Sequence, residues 1–297
     1  MLHIDPKKTP TADVHQYLLG AVAPRPIAFV STIDKEGRAN LAPYSFFNCF
    51  SSNPPTLVFS SNRKVSDNTT KDTLHNVQAT KEVVVNVVPH SILRQMAVTS
   101  IAFPTEESEF TKSGLTPIPS DLVKAYRVKE SPIQMECKVT DIISLGDQGG
   151  AGSLIVCEVL RMHIDENVLD EDQKIDPQKI DLMGRMGRAF YVRASGEAVQ
   201  KVFQAVGEIT IGFDQLPASI RNSSILTGNN LGQLAGLKSL PSETKIREIM
   251  NSDKEIQKIL LSNQAKEALH HYAKEILEKD DDRRMYAAAV AMIGDLE

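Results

Sequence analysis

The chain has 297 residues, of which 41% are apolar and 24% charged, with a net charge of −5. That is long for one compact domain and fits one large domain plus an appended piece, with ample apolar material for a core. The acidic balance argues against a general nucleic-acid binder, no run reaches the length of a membrane span, and the start MLHIDPKKTP has no apolar leader core, so a cytoplasmic protein is expected.

Residues 11–19 read as a short helix with Thr11 as its N-cap. Pro24 and Pro26 force an extended backbone around Arg25. A strand follows over 27–33, then a turn at 34–37 in which Gly37 suits a positive φ. Residues 38–47 return as a second strand, and Pro43 within it implies an edge, a bulge or a break. Further strands are expected at 56–61 and 82–88, with helices near 70–80 and 91–98. Residues 99–131 are irregular and rich in Pro and Ser, and such a long loop usually covers something. Residues 133–145 and 153–165 form a long hairpin across GDQGGAG. Six β-segments with few helices between them predict a mainly β fold, a closed antiparallel barrel. A domain spanning 1–205 is expected, with a C-terminal α-helical extension over 206–297. In that extension the stretch after Pro241 predicts two to four packed helices.

The stretch TLVFSSNRKVSDNTTKDT (56–73) is the most informative. A strand runs into a loop with Ser60, Ser61, Asn62, Arg63 and Lys64, and a helix then opens at Thr69–Thr73. Thr69 and Asp72 have capping-box spacing. A helix start with unpaired N–H groups, two or three cations from Arg63, Lys64 and Lys71, and several hydroxyls make an anion site suited to phosphate. An ordinary solvated loop with a simple cap has the same composition, so the residues leave both readings open. In NLAPYSFFN (40–48), Pro43 frees backbone groups that could meet the polar edge of a planar ligand. Phe46 and Phe47 read as core, while Tyr44 and Ser45 are open. His163 reads as structural and His270–His271 as a solvated helix face. Cys49, Cys137 and Cys157 form no CxxC pair and read as reduced, partly buried thiols. No metal-ligand spacing, HExxH or GxSxG occurs, and Gly149–Gly152 lie in a hairpin rather than a dinucleotide-binding turn.

PRPIAFVST (24–32), NLAPYSFFN (40–48), NPPTLVFSS (53–61) and KDTLHNV (71–77), in that order and spacing, resemble the flavin reductase-like proteins with an FMN-binding split barrel. The likeness covers roughly residues 1–200. It implies a split-barrel homodimer with FMN near the subunit interface. Ala42, Pro43, Tyr44 and Ser45 would lie along the isoalloxazine, and Asn48 would make a polar contact. Ser60, Ser61, Asn62, Arg63 and Lys64, with Thr69, Lys71, Asp72 and Thr73, would hold the ribityl chain and phosphate. Arg25 would brace the site or reach it. NAD(P)H is implied as a transient electron donor and a second, unidentified molecule as acceptor, with no side chain needed as general acid or base. A non-catalytic FMN store or sensor with a partner-binding helical tail is the alternative, and an oxidase or isomerase on the same barrel is a third. One departure stands out. Members often carry Arg-Leu-Gly-Gly ahead of a Tyr, whereas here Arg185-Met186-Gly187-Arg188 precedes Tyr191.

Overall fold

The computed structural model describes residues 1–202 and 206–296. The chain divides into two compact units, Met1–Val199 and Gln200–Glu297. The boundary expected after residue 205 falls at 203–205, outside the described residues.

The first unit opens with α1 (Thr11–Ala21), where Pro10 rather than Thr11 is the N-cap and Thr11 is the first helical residue. Then come β1 (Ala28–Ile33), β2 (Ala39–Tyr44), β3 (Phe47–Ser52), β4 (Pro55–Asn62), α2 (Asp72–Thr80) and β5 (Glu82–Asn86). α3 (Leu93–Val98) stands where a helix is expected, and the segment expected to be irregular holds α4 (Glu109–Ser113) and the short pair β6 (Pro117–Ile118) and β7 (Arg127–Val128). The predicted long hairpin is β8 (Ile133–Ser144) and β9 (Gly152–Ile164), and a second hairpin follows as β10 (Leu182–Arg185) and β11 (Tyr191–Ala194).

Seven strands form one antiparallel sheet in the order β2-β1-β5-β8-β9-β4-β3. Laid flat, its outer strands would stand about 29 Å apart at ~4.8 Å per strand. Yet only Ser45 and Phe46 connect β2 to β3, a link that spans at most about 10 Å. The sheet therefore has to curl until its two edges meet, which makes a barrel with a split between β2 and β3. Seven strands replace the expected six because the strand expected over 38–47 ends at Tyr44 and a further strand, β3, runs from Phe47 to Ser52. Most of β3 is solvent-exposed, so it shows no alternating apolar face to read.

Pro43 breaks nothing. The β1–β2 ladder runs through it opposite Phe29, and β2 is an edge strand. Two residues earlier, the Leu41 N–H already points to the Glu109 carboxylate rather than into the ladder. The proline nitrogen faces the same outer side, where no ladder bond is lost.

Every residue of β1 is buried because both of its faces are covered. Ala28 and Val30 join the barrel core with Phe59, Val85 and Ile155, whereas Phe29 joins a second core with Met96 of α3 and Phe110 of α4. Cys137 and Cys157 lie in the barrel core as free thiols, and burial raises both above the ordinary range, Cys157 to about 12. Cys49 is exposed on β3.

The second unit is helical, with α5 (Ala218–Arg221), α6 (Gly228–Ala235), α7 (Glu243–Ser252), α8 (Lys254–Leu260), α9 (Ala265–Lys279) and α10 (Arg284–Met292). Ala287–Ala291 are all fully buried, so α10 is the central helix around which the others pack. Ser242, Asp253 and the Thr227–Asn230 capping box close the N-termini of α7, α8 and α6. His270 does not lie on a solvated face. It is buried against this core, with Nδ1 at 2.8 Å from the Ser223 hydroxyl. No helix among the described residues is long and apolar enough to cross a membrane.

Candidate functional site

Tyr44 ends β2 and Ser61 lies near the end of β4. Side chains alternate along a strand, so Leu57, Phe59 and Ser61 share the face that looks into the barrel core. The Tyr44 and Phe59 rings are 5.2 Å apart. Both the Tyr44 phenol and the Ser61 hydroxyl are buried, and among the described residues neither has a partner in good hydrogen-bond geometry. Burial pushes the phenol up to about 12, against weaker opposing effects of the nearby Thr73 and Ser61 hydroxyls.

The N-terminus of α2 belongs to the same cluster. Its N-cap is Lys71, and no side chain bonds its first-turn N–H groups. The capping box expected from Thr69 and Asp72 does not form. Thr69 donates its hydroxyl and its N–H to Asp67, at 2.6 and 2.9 Å. The reason is local: the loop closes on itself through Lys64 N–H to Thr69 C=O (2.9 Å) and Asn68 N–H to Lys64 C=O (3.0 Å). Thr69 is thereby committed before the helix begins. The Lys71 ammonium sits 4.9 Å from the centre of the Tyr44 ring. Desolvation there, and then the neighbouring charge of Lys64, hold its pKa below the usual lysine value, although the residue as a whole is exposed. Neither Lys64 nor Lys71 has an ion-pair partner among the described residues. Two cations, two orphaned hydroxyls and an uncapped helix start therefore converge. This is the chemistry of an anion receptor without its anion.

The other predicted residues divide. Thr73 is buried and accepts a hydrogen bond from Asn40 at 2.9 Å, which locks α2 against β2, while Asp72 accepts one from Thr105 at 3.4 Å. Ser60 and Asn62 lie on the opposite face of β4 from Ser61, bonded to each other at 2.7 Å. A Cβ on Gly152 would stand 2.5 Å from the Ser60 hydroxyl, so that approach requires glycine. Arg63 donates to the Asn68 carbonyl at 2.8 Å and so staples the loop. Asn48 is exposed on β3 and accepts the N–H of Cys49. Ala42, Pro43 and Ser45 border the barrel split, where Ser45 faces Nε of Arg25 at 3.4 Å. Arg25 braces this corner. It is buried and donates to the carbonyls of Leu19 in α1's last turn, of Val22 just past the helix, and of Met186.

Sequence reasoning missed Asn40, Thr32, Asn76 and Glu109. Asn40 and Asn76 both donate to the Thr32 hydroxyl, and Glu109 accepts the Leu41 N–H from 68 positions away. Asn within a strand was a usable signal because strands disfavour it. Nothing local marks Glu109, whose carboxyl is raised by burial and, less, by Asp72. The two flanks of α2 differ in charge. A cavity of about 450 Å³ bordered by Asp34, Glu36, Asp72, Glu107 and Glu109, with Lys35 and Arg38 offsetting only part of their charge, is net acidic and disfavours a phosphate. A second cavity of about 460 Å³ bordered by Arg63, Thr70, His75, Lys81, Ser144 and Ser153 would attract one.

The family model of the flavin reductase like domain matches residues 20–182. An uncharacterized protein of Aquifex aeolicus is 43% identical over 197 residues, covering 66% of this chain and 97% of its own length. Among solved structures, nitrilotriacetate monooxygenase component B from Bacillus cereus superposes with a TM-score of 0.63 at 32% identity, over 69% of this chain and 98% of that one. The 2-nitrobenzoate 2-nitroreductase of Pseudomonas fluorescens does so with a TM-score of 0.61 at 29% identity, over 69% and 98% respectively. The architecture, the order of the motifs and these matches agree, and the chain belongs to the flavin reductase-like family.

Proposed function

We propose that this protein binds FMN and serves as an NAD(P)H-dependent flavin oxidoreductase. One observation carries the reading: the buried, unpartnered hydroxyls of Tyr44 and Ser61 stand beside the unpaired Lys71 and the uncapped start of α2. Buried polar atoms without partners are rare in folded proteins, and a group that supplies those partners accounts for them. Lys64, Lys71 and the first turn of α2 would neutralise the phosphate. Tyr44 and Ser61 would offer hydroxyls next to it. The outer edge of β2 around Ala42–Ser45 would give backbone groups to the rim of the ring, held in place by Arg25. When bound, the flavin supplies the redox chemistry between a nicotinamide donor and a second acceptor. The chain's own residues bind, orient and shield it, and none is assigned as acid or base. The monooxygenase component and the nitroreductase among its relatives support a redox role over a passive store.

A second copy of the chain is part of this proposal. Leu160, Met162 and Ile164 form an exposed apolar row at alternate positions of β9, of the kind that a dimer contact covers. The decisive experiment is anaerobic mixing of the FMN-loaded protein with NADH and NADPH. Rapid bleaching of the flavin absorbance is expected. A flavin that stays oxidised with both would leave only the binding module. Light scattering should report a dimer.

A further inference from the structure

Three arginines lie on the β10–β11 hairpin, and two of them have structural partners. Arg185 stacks at 4.5 Å on the Tyr191 ring, and Arg193 grips Asp181 in a fork at 2.7 and 2.8 Å. Arg188, at the tip, is exposed and has no hydrogen-bond, ion-pair or ring partner among the described residues. Its φ is +55°, in the left-handed region that favours glycine. The tip is nevertheless firmly mounted. Met186 N–H to Phe190 C=O (2.9 Å) and Phe190 N–H to Gly187 C=O (3.2 Å) close the loop. A Cβ on Gly187 would come within 3.2 Å of the Gly20 backbone in α1, so the tip is pressed onto that helix. Arg25 ties the Met186 carbonyl to the α1 carbonyls and faces Ser45. Phe190, two residues on from Arg188, is 68% exposed. A strained, unpartnered cation on a rigid mount beside an uncovered aromatic ring is the pattern of a binding position rather than a structural one.

We propose that Arg188 and Phe190 receive the 2′-phosphoadenosine end of NADPH, so that this protein prefers NADPH to NADH. The inference rests on the flavin oxidoreductase reading. A guanidinium forks onto a phosphomonoester, and a ring face covers the adjoining adenine. NADH offers only a neutral hydroxyl at that place.

The test compares wild type with Arg188→Gly and Arg188→Lys. Glycine accepts the φ of +55° without strain, so the first variant is expected to keep its fold and its FMN affinity. In calorimetry on the protein without nicotinamide, wild type should bind adenosine 2′,5′-bisphosphate about tenfold or more tighter than 5′-AMP. Arg188→Gly should bring that ratio close to one, and Arg188→Lys should keep part of it. The NADPH/NADH ratio of kcat/KM should fall in parallel, mainly through KM. An unchanged ratio overturns the proposal. So does an equal loss with both nucleotides, which would assign Arg188 to the shared pyrophosphate. If FMN-loaded wild type oxidises neither nucleotide, the oxidoreductase reading fails, and the calorimetry still decides on Arg188.

Discussion

The barrel unit and the helical unit treat their polar side chains differently. In the helical unit Asp253 accepts the Glu255 and Ile256 N–H groups and the hydroxyls of Tyr272 and Tyr286, so that one carboxylate caps α8 and joins three helices. Burial opposes its ionisation, but these donors together outweigh it and lower its pKa, while burial and Asp253 raise that of Tyr286. Among the described residues of the barrel unit Ser31, Tyr44 and Ser61 keep buried hydroxyls without a partner within hydrogen-bond distance, and Lys64, Lys71 and Arg188 make no ion pair, although Lys64 acts at longer range on Asp67. A scaffold pairs its polar groups internally, whereas a receptor leaves some free for what it receives.

The largest expected effect tests the satisfied side of this contrast. Asp253→Ala removes an N-cap and strands two tyrosine hydroxyls, and should cost about 3 kcal/mol of stability. Urea unfolding followed by helical circular dichroism measures it, and FMN affinity should not change. A loss under about 0.5 kcal/mol would show that the network contributes little and would weaken the contrast. On the receptor side, Lys64→Ala with Lys71→Ala should weaken FMN binding by about 2 kcal/mol, roughly thirtyfold in Kd, without lowering the stability of the ligand-free protein. Fluorescence titration of FMN reads the first and thermal unfolding the second. Arg63→Ala should behave differently, because its guanidinium is committed to Asn68 and its loss loosens the loop.

Tyr44→Phe sharpens the comparison further because its two effects have opposite signs. Removing a buried hydroxyl that lacks a partner should stabilise the ligand-free protein by about 0.5–1 kcal/mol. The same change should weaken FMN binding several-fold. Destabilisation of the ligand-free protein would mean that the phenol already has its partner in Thr73 or Ser61.

How much of this was legible in the sequence follows from how local each cause is. Strands with an apolar face, the β8–β9 hairpin and the helices after Pro241 carry their periodicity within a few residues. The exposed edge strand β3 carries none, and no strand is expected from the sequence beyond residue 47. The cations and hydroxyls of 60–73 were readable as an anion site, but the split of Ser60 and Ser61 between two faces depends on strand register. The Thr69 cap failed because Asp67, two residues away, competes for the same donors. Glu109 and the burial of His270 arise from contacts across long stretches of chain, which no local pattern records.

His270 gives the smallest effect and tests a place where the helical unit departs from its own rule. Its Nε2 is buried, and among the described residues no partner stands in good hydrogen-bond geometry to it. The Ser223 hydroxyl already accepts the N–H groups of Ile225 and Leu226, both at 3.2 Å, so its proton is free to go to Nδ1. That arrangement needs a neutral ring with its proton on Nε2. Burial lowers the pKa from 6.5. The Ala291 carbonyl and Asp295 act against it, and Lys266 and His271 reinforce it. Well above pH 6.5 the ring is neutral in both folded and unfolded chains, and its contribution to stability is complete. As the pH falls below that value the unfolded chain takes up a proton that the folded one refuses, so stability falls until the folded pKa is passed. The expected loss between pH 6.5 and 5.5 is below about 1 kcal/mol. Helical melting of wild type and His270→Gln across that window measures it. The variant should be less stable at pH 7.5, and its disadvantage should shrink as the solution becomes more acidic. A constant difference between the two proteins would mean that the ring titrates alike in both states and that Nε2 has a partner after all.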